Sequence, residues 1–422
     1  MWPLISTILA LSACCRLCAG QQINDIWQTT WDRSSLFTSL SPSSPINFGP
    51  SGSSSNLSIQ VDDTSIAQEI VGFGGSLTDS SALVLNNLKS RNPDSYQNLL
   101  RYMFDETDGA NAAGLTYVRV PIGACDFSES VYSLDDVSGD TSFSQFDINR
   151  APSYLFSVLK DILSVNPRIK VHIVPWSPPG WMKDTGTMTG GTLRSDMVQY
   201  YSTYLLKAAQ AYQEMGIPLY AISIQNEPMN DNPTYPTCTM TPSMEGQIGM
   251  SLRDQLNSNG LENVKIIGFD HNWVYAGDYP ISLLDWKPRA LFGIWPNVEH
   301  RSRRKRALVN VEDDGSYSFN QEFTSMAHVA KATIPKDVGG PFARRIGVGL
   351  SGSLGWAVRV GAFVTERSSS SELPRYSLVV LNWYDNASSE WNPVPIEATI
   401  DFRGVQATYT FPVGITTMSW YA

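Results

Sequence analysis

The chain has 422 residues, is 42% hydrophobic, and carries 40 acidic against 30 basic side chains, for a formal charge of −10. That length buries a large core and suggests one big domain with a smaller one beside it. The negative surplus argues against nucleic acid or an anionic membrane as partner, since both would repel it.

Residues 1–20 run from apolar Pro3–Leu11 to the small-residue ending Ala19-Gly20. They read as a secretory signal peptide rather than an integral membrane segment, because the apolar run is too short to span a bilayer. The expectation is a secreted, extracellular protein. Cys14, Cys15 and Cys18 fall in this leader, which leaves Cys125 and Cys238 as candidates for a disulfide. Asn56-Leu-Ser58 and Asn386-Ala-Ser388 are candidate glycosylation sites.

Residues 40–58 are rich in Ser, Pro and Gly and read as exposed loop, within an N-terminal segment (21–65) that joins a β side domain. From residue 66 short apolar runs alternate with helical patterns. Ile66–Gly75 precedes Asp79–Leu88, Leu115–Ile122 precedes Tyr154–Leu163, and Ile169–Pro175 precedes Met197–Met215. Leu219–Ile224 precedes Gly246–Leu256, and Val264–Phe269 follows. This rhythm implies parallel strands with crossover helices, hence a TIM barrel or a doubly wound sheet, over residues 66–340. The run ends read Arg119-Val-Pro, Trp176-Ser-Pro-Pro-Gly, Asn226-Glu-Pro and Asp270-His-Asn-Trp273. Polar or aromatic residues at several strand ends suit a TIM barrel, and no GxGxxG follows a strand. Residues 341–422 change texture to strand-length runs without helices between them, which reads as an antiparallel β-sandwich.

Several stretches together resemble glycoside hydrolase family 30, the group that contains glucosylceramidases and fungal endo-β-1,6-glucanases. They are Gly72-Phe-Gly-Gly-Ser-Leu-Thr-Asp79, Val118-Arg-Val-Pro-Ile-Gly-Ala-Cys-Asp-Phe127, Trp176-Ser-Pro-Pro-Gly-Trp-Met-Lys183, Gln225-Asn-Glu-Pro228, Asp270-His-Asn-Trp273 and Asn320-Gln-Glu-Phe323. The resemblance implies a retaining β-glycosidase on a (β/α)8 barrel with a β side domain, acting without a cofactor. It implies that Glu227, at the end of the fourth strand, is the acid/base. It also implies that Asp79, Trp176 and Asn226 hold the sugar and that Arg119 supports the site. The segments Asn232–Cys238 and Arg403–Phe411 look closer to the glucanase branch, so the expected partner is a β-1,6-glucan or a glucosyl lipid.

Each residue also has a plainer reading. Glu227 is a turn residue after a buried strand, Asp79 is a helix N-cap, and Trp176 and Trp181 are core. His271 has no second His at metal spacing, so no metal site is expected.

Retention of configuration needs a second carboxyl group roughly 5–5.5 Å from the first. In the resembled family this nucleophile is a Glu in a Thr-Glu pair ending the seventh strand, and nothing between Trp286 and Asn320 matches it. Three more β/α units need roughly 90 residues, and about a third of that separates Trp273 from Leu308. The barrel is therefore expected to be incomplete, with residues 287–307, including the basic run 301–306, as an atypical junction. Glu299, Glu312, Glu322 and Glu366 are the nearby glutamates, Val-Glu-Asp-Asp-Gly315 reads as a turn, and the nucleophile is left unassigned. Two functional readings stand: a secreted retaining β-glycoside hydrolase, or an inactive truncated homologue that at most binds carbohydrate.

Overall fold

The structure, a computed structural model, describes residues 21–40, 45–52, 55–272, 275, 307–387 and 389–422. Residues 1–20 and 276–306 lie outside the described residues, and with them the expected signal peptide, Glu299 and most of the junction.

Five parallel strands form one sheet in sequence order: Gly74–Ser76, Tyr117–Ile122, Lys170–Pro175, Leu219–Ser223 and Lys265–Ile267. The first is followed by helices Asp79–Arg91 and Pro93–Phe104, the second by Ser153–Val165, the third by Val198–Glu214 and the fourth by Pro242–Ser258. Each strand pairs with the next in sequence, so the order never reverses. This is the arc of a TIM-type barrel and not a doubly wound sheet. Its core joins strand residues Val118, Val120, Val171, Ile173 and Ile222 to helix residues such as Leu159 and Leu252.

The first barrel strand is shorter than the sequence suggests. Ile66 belongs to the twelve-residue strand Ser58–Glu69, which pairs with Arg344–Ser351 in the β domain, so the boundary falls near residue 70 rather than 66. Polar Gln60, Asp62 and Gln68 line its exposed side, as an antiparallel strand with one wet face allows. The Gly-Gly of the barrel strand has a steric cause: a Cβ on Gly74 would lie 1.6 Å from the Tyr117 carbonyl oxygen. Helix Pro93–Phe104, unanticipated, starts where Asn92 Oδ1 accepts the Ser95 N–H at 3.1 Å and proline opens the first turn.

The β domain is one ten-stranded sheet to which both chain ends contribute. Asp25–Thr30 pairs with Gly414–Tyr421, and Ser58–Glu69 runs parallel to Ile396–Phe402. Three strands separate Arg375–Asn382 from Ile396–Phe402, yet Tyr376 meets Phe402 with ring centroids 4.7 Å apart, and Phe402 meets Trp420 at 5.4 Å. The sheet therefore folds over a shared core, as the sandwich expectation requires.

Val309–Val311 and Tyr317–Phe319 form a hairpin with Glu312 at its turn, and Glu322 lies in the first turn of helix Gln321–Thr333. That helix docks on the β domain through buried His328, whose two ring nitrogens meet Thr417 Oγ1 at 2.9 Å and Thr29 Oγ1 at 2.8 Å. Burial pushes His328 down to about 3, so it docks as a neutral ring. Among the described residues, no helix is long and apolar enough to cross a membrane.

Candidate active site

All five barrel strands end on the same side, and the candidate residues follow those ends. Arg119 sits on the second strand, Asn226 and Glu227 follow the fourth, and Asp270 follows the fifth. An isolated parallel bridge joins Asn226 to Asp270, and the Glu227 N–H donates to the Asp270 carbonyl at 2.9 Å. Glu227 and Phe269 both adopt left-handed backbone, with φ of 48° and 50°. Such conformations cost of order 1–3 kcal/mol in non-glycine residues and persist where the surroundings hold them. Here two neighbouring strand ends are bent together, and Glu227 is turned to the rim instead of continuing the strand. Its carboxylate accepts a hydrogen bond from Asn230 Nδ2 at 2.8 Å. Glu245, fully buried in the first turn of the next helix, receives the Phe269 N–H at 3.1 Å and so braces the second bend.

Behind this rim lies a buried polar chain. Arg119 donates from Nη2 to Asn226 Oδ1 at 2.7 Å and to Asp270 Oδ2 at 2.8 Å, and from Nε to the same carboxylate oxygen at 3.3 Å. Ser223 Oγ donates to Asp270 Oδ2 at 2.7 Å and lies 2.7 Å from His172 Nε2. Because the serine proton goes to the carboxylate, His172 must present Nε2–H to the serine oxygen, which selects its tautomer. Burial holds His172 down near 3 despite the Asp270 charge, so the ring is neutral. Burial alone would raise Asp270, but Arg119, His172 and the donated hydrogen bonds outweigh it and hold the carboxyl at about 2. His271, beside Glu227, is lowered by burial, with the charges of Glu227 and Asp270 opposing.

Trp176 packs beneath Arg119, whose guanidinium carbon lies 4.7 Å from the ring centroid, and its carbonyl receives Gln225 Nε2 at 2.7 Å. Only 7% of Trp176 is exposed, which leaves a narrow edge for any sugar. Trp181 donates Nε1–H to the Asp135 carbonyl at 3.0 Å. With Lys183, Asp184 and Arg194 it lines an open cavity of about 670 Å³ among the loops after the second and third strands.

Asp79 is not the cap of its helix. Thr78 is, with Oγ1 accepting the Ser81 N–H at 3.2 Å, and Asp79 is the first helical residue. That shift by one residue frees the carboxylate to point inward. Its Oδ2 accepts Ser128 Oγ at 2.5 Å and Tyr132 OH at 2.9 Å, while buried Oδ1 has no hydrogen-bond partner. Burial raises the Asp79 carboxyl, and the two hydroxyls pull the other way.

The candidate disulfide does not form: Cys125 and Cys238 are both free and buried. Cys125 packs with Val174 and Trp176 and accepts the Phe127 N–H, whereas Cys238 belongs to the main barrel core. Burial pushes the two thiols up to about 11 and about 12. Asn56 and Asn386 are both exposed. Glu312 and Glu366 lie at the hairpin turn and beyond the β-domain strand Val358–Thr365, away from the strand ends that carry the site. Among the described residues, no group of three or more His, Cys, Asp or Glu side chains is placed to hold a metal ion.

The carboxylate of Asp270, with Ser223, His172 and Asn230, is the part that sequence reasoning missed. Its signals were Asp270 at the end of an apolar run and polar His172 and Ser223 inside such runs, where an unpartnered side chain would be costly.

The chain is 35% identical over 246 residues to the endo-1,6-beta-D-glucanase of Neurospora crassa, covering 56% of this chain and 49% of that protein. It is 31% identical over 168 residues to the lysosomal acid glucosylceramidase of Mus musculus, covering 38% of this chain and 31% of that one. The chain thus spans about half the length, or less, of these relatives. Among solved structures, the endo-beta1,6-glucanase BT3312 superposes with a TM-score of 0.76 at 23% identity, covering 95% of this chain and 99% of that one, a likeness of fold. The model of the glycosyl hydrolase family 30 TIM-barrel domain matches residues 70–284, beginning where the β-domain strand ends. With that match spanning half of its length, the chain belongs to glycosyl hydrolase family 30.

Proposed function

We propose that this is an exported, retaining β-glycoside hydrolase that cleaves β-glucosidic bonds, β-1,6-glucan ahead of glucosylceramide, with Glu227 as general acid/base. The observation that carries the reading is Glu227 itself, a left-handed residue at the fourth strand end, tied to Asn230 and to the Asp270 main chain. Protonated Glu227 gives its proton to the glycosidic oxygen as a second carboxylate, the unassigned nucleophile, displaces that oxygen and bonds to the anomeric carbon. As carboxylate, Glu227 then takes a proton from the water that releases the sugar. Asn226, fixed by Arg119, and Asp79, held by Ser128 and Tyr132, are the polar groups assigned to the sugar hydroxyls. Asp270 is not the attacking carboxylate, because it is buried and receives Arg119 and Ser223. The nucleophile remains unassigned. Preference for glucan rests on the similarity to the Neurospora glucanase over the larger share of the chain.

One observation favours a second reading, a homologue that binds sugar without cleaving it. The fifth strand ends at Ile267 and the hairpin begins at Val309, a gap too short for three further units of about 30 residues.

Purified chain is to be assayed on β-1,6-glucan, on glucosylceramide and on a fluorogenic β-glucoside. Turnover of glucan that falls by about 10²–10⁴ in Glu227→Gln is expected. Equal rates in wild type and variant refute the acid/base role. Glucan binding without turnover establishes the second reading. Export is checked by amino-terminal sequencing of protein recovered from culture medium.

A further inference from the structure

Four tryptophans on the β domain are about half exposed: Trp356 at 59%, Trp31 at 51%, Trp391 at 49% and Trp383 at 46%. Exposed rings scattered singly need no explanation. These are not scattered. The strand register pairs Thr30 with Gly414, Gly414 with Asn382, and Asn382 with Val358. Trp31 follows Thr30, Trp383 follows Asn382, and Trp356 lies two residues before Val358. The three therefore stand in a row across one end of the sheet, over three interstrand steps, or about 14 Å. Main-chain bonds lock the row: the Trp31 N–H donates to Val413 O and the Trp383 N–H to Ala357 O, each at 3.0 Å.

The rings are also held in orientation. Trp383 Nε1–H donates to the Trp356 carbonyl at 3.0 Å, and the Arg359 guanidinium lies 4.9 Å from the Trp383 ring. Trp356 meets Tyr384 edge-on at 5.8 Å, and Trp391 closes on Trp31 edge-on at 5.7 Å. Beside Trp31 a cleft is lined by Thr30, Asp32, Pro393, Pro395, Pro412 and Val413. Fixed indoles interleaved with Asp32, Arg359 and Asp385 combine flat apolar faces with polar edges. A β-linked glucose ring has the complementary form, with C–H groups on its faces and hydroxyls around its rim.

We propose that this tryptophan row is a second carbohydrate-binding surface, which holds a β-glucan chain across the strand ends of the side domain, apart from the barrel site. It deepens the proposed function and rests on that reading for the identity of the sugar as glucan.

The test is electrophoresis of the full chain through native gels with and without soluble β-1,6-glucan. All samples carry Asn386→Gln, so that no glycan on the neighbouring loop covers Trp391. Trp31→Ala/Trp383→Ala is expected to weaken retardation at least tenfold and leave hydrolysis of the fluorogenic β-glucoside unchanged, with Trp→Tyr at both positions restoring much of it. Circular dichroism confirms that the variants are folded. Unchanged retardation in the folded double variant overturns the proposal. So does tryptophan-dependent binding to glucosyl-lipid vesicles without retardation by glucan. Wild-type chain that is retarded through these tryptophans but cleaves nothing sinks the catalytic reading and leaves this one standing.

Discussion

Arg119→Met isolates what the buried ion pair contributes. The arginine and Asp270 side chains are 4% and 1% exposed, so water replaces neither partner when the other is removed. The substitution leaves Asp270 with Ser223 as donor and strands the Asn226 amide oxygen. Breaking a buried pair in this way costs about 3–5 kcal/mol, since an uncompensated charge stays buried. With a guanidinium m-value of about 5 kcal/mol per molar, a loss of about 4 kcal/mol lowers the barrel's unfolding midpoint by about 0.8 M. The pH dependence carries the sign. In the wild type, Asp270 is held at about 2, below its ordinary 3.8. Its contribution is therefore present above pH 4 and is lost as pH falls toward 2. Without Arg119 burial prevails, the carboxyl rises above its ordinary value, and the variant's deficit shrinks as acid neutralises the buried charge. Unfolding followed at pH 7 and pH 4.5 should show a smaller deficit at the lower pH. Arg119→Met/Asp270→Leu should recover most of the loss, because an apolar replacement of both partners removes the charge altogether. A single variant that unfolds within about 0.5 kcal/mol of wild type at pH 7, as an exposed pair would, refutes this account of the network.

The other predictions concern single groups. Asn230→Ala removes the side-chain donor to Glu227 and should lower kcat on glucan by about tenfold, equivalent to about 1.4 kcal/mol, without moving the unfolding midpoint; an unchanged kcat means the bond does not position the acid. Asp79→Asn relieves a buried carboxylate and should raise stability at pH 7 by up to about 1 kcal/mol while KM for glucan rises. Burial raises the Asp79 carboxyl, so its charge costs stability above its ordinary pKa, and the variant's advantage should fade toward pH 4. Cys125 and Cys238 should be silent to a thiol reagent in native protein and titrate as two thiols in denaturant, and reductant should not shift the unfolding midpoint. A native protein that loses stability on reduction contradicts the free thiols.

Much of this molecule is local and so could be read along the chain. Alternation of apolar strands and amphipathic helices marks the barrel because each crossover unit carries its own periodicity, and polar residues such as Glu227 after a strand and Arg119 within one stand out against apolar runs. The sandwich strands follow from runs broken by turns, whereas the helix at Pro93 was not read. What pairs across long separations was not legible. Ile66 looked like a barrel residue because strand character does not reveal which sheet a strand joins; that was settled by Arg344–Ser351, far along the chain. Whether the two cysteines pair was left open because composition holds no distances, and packing placed them in separate clusters. Asp79 passed for a cap until Thr78 took that role and left its carboxylate inward. The chain from His172 through Ser223 and Asp270 to Arg119 and Asn226 draws one side chain or two from each of four neighbouring strands or their ends, and the tryptophan row depends on register between strands as far apart as Asp25–Thr30 and Gly414–Tyr421. Sequence by itself determined most of the elements and the residue chemistry of the candidate site, since both follow from local periodicity and residue type. Only tertiary structure decided the partners, because hydrogen bonds and charges act over a few ångströms of space and take no account of distance along the chain.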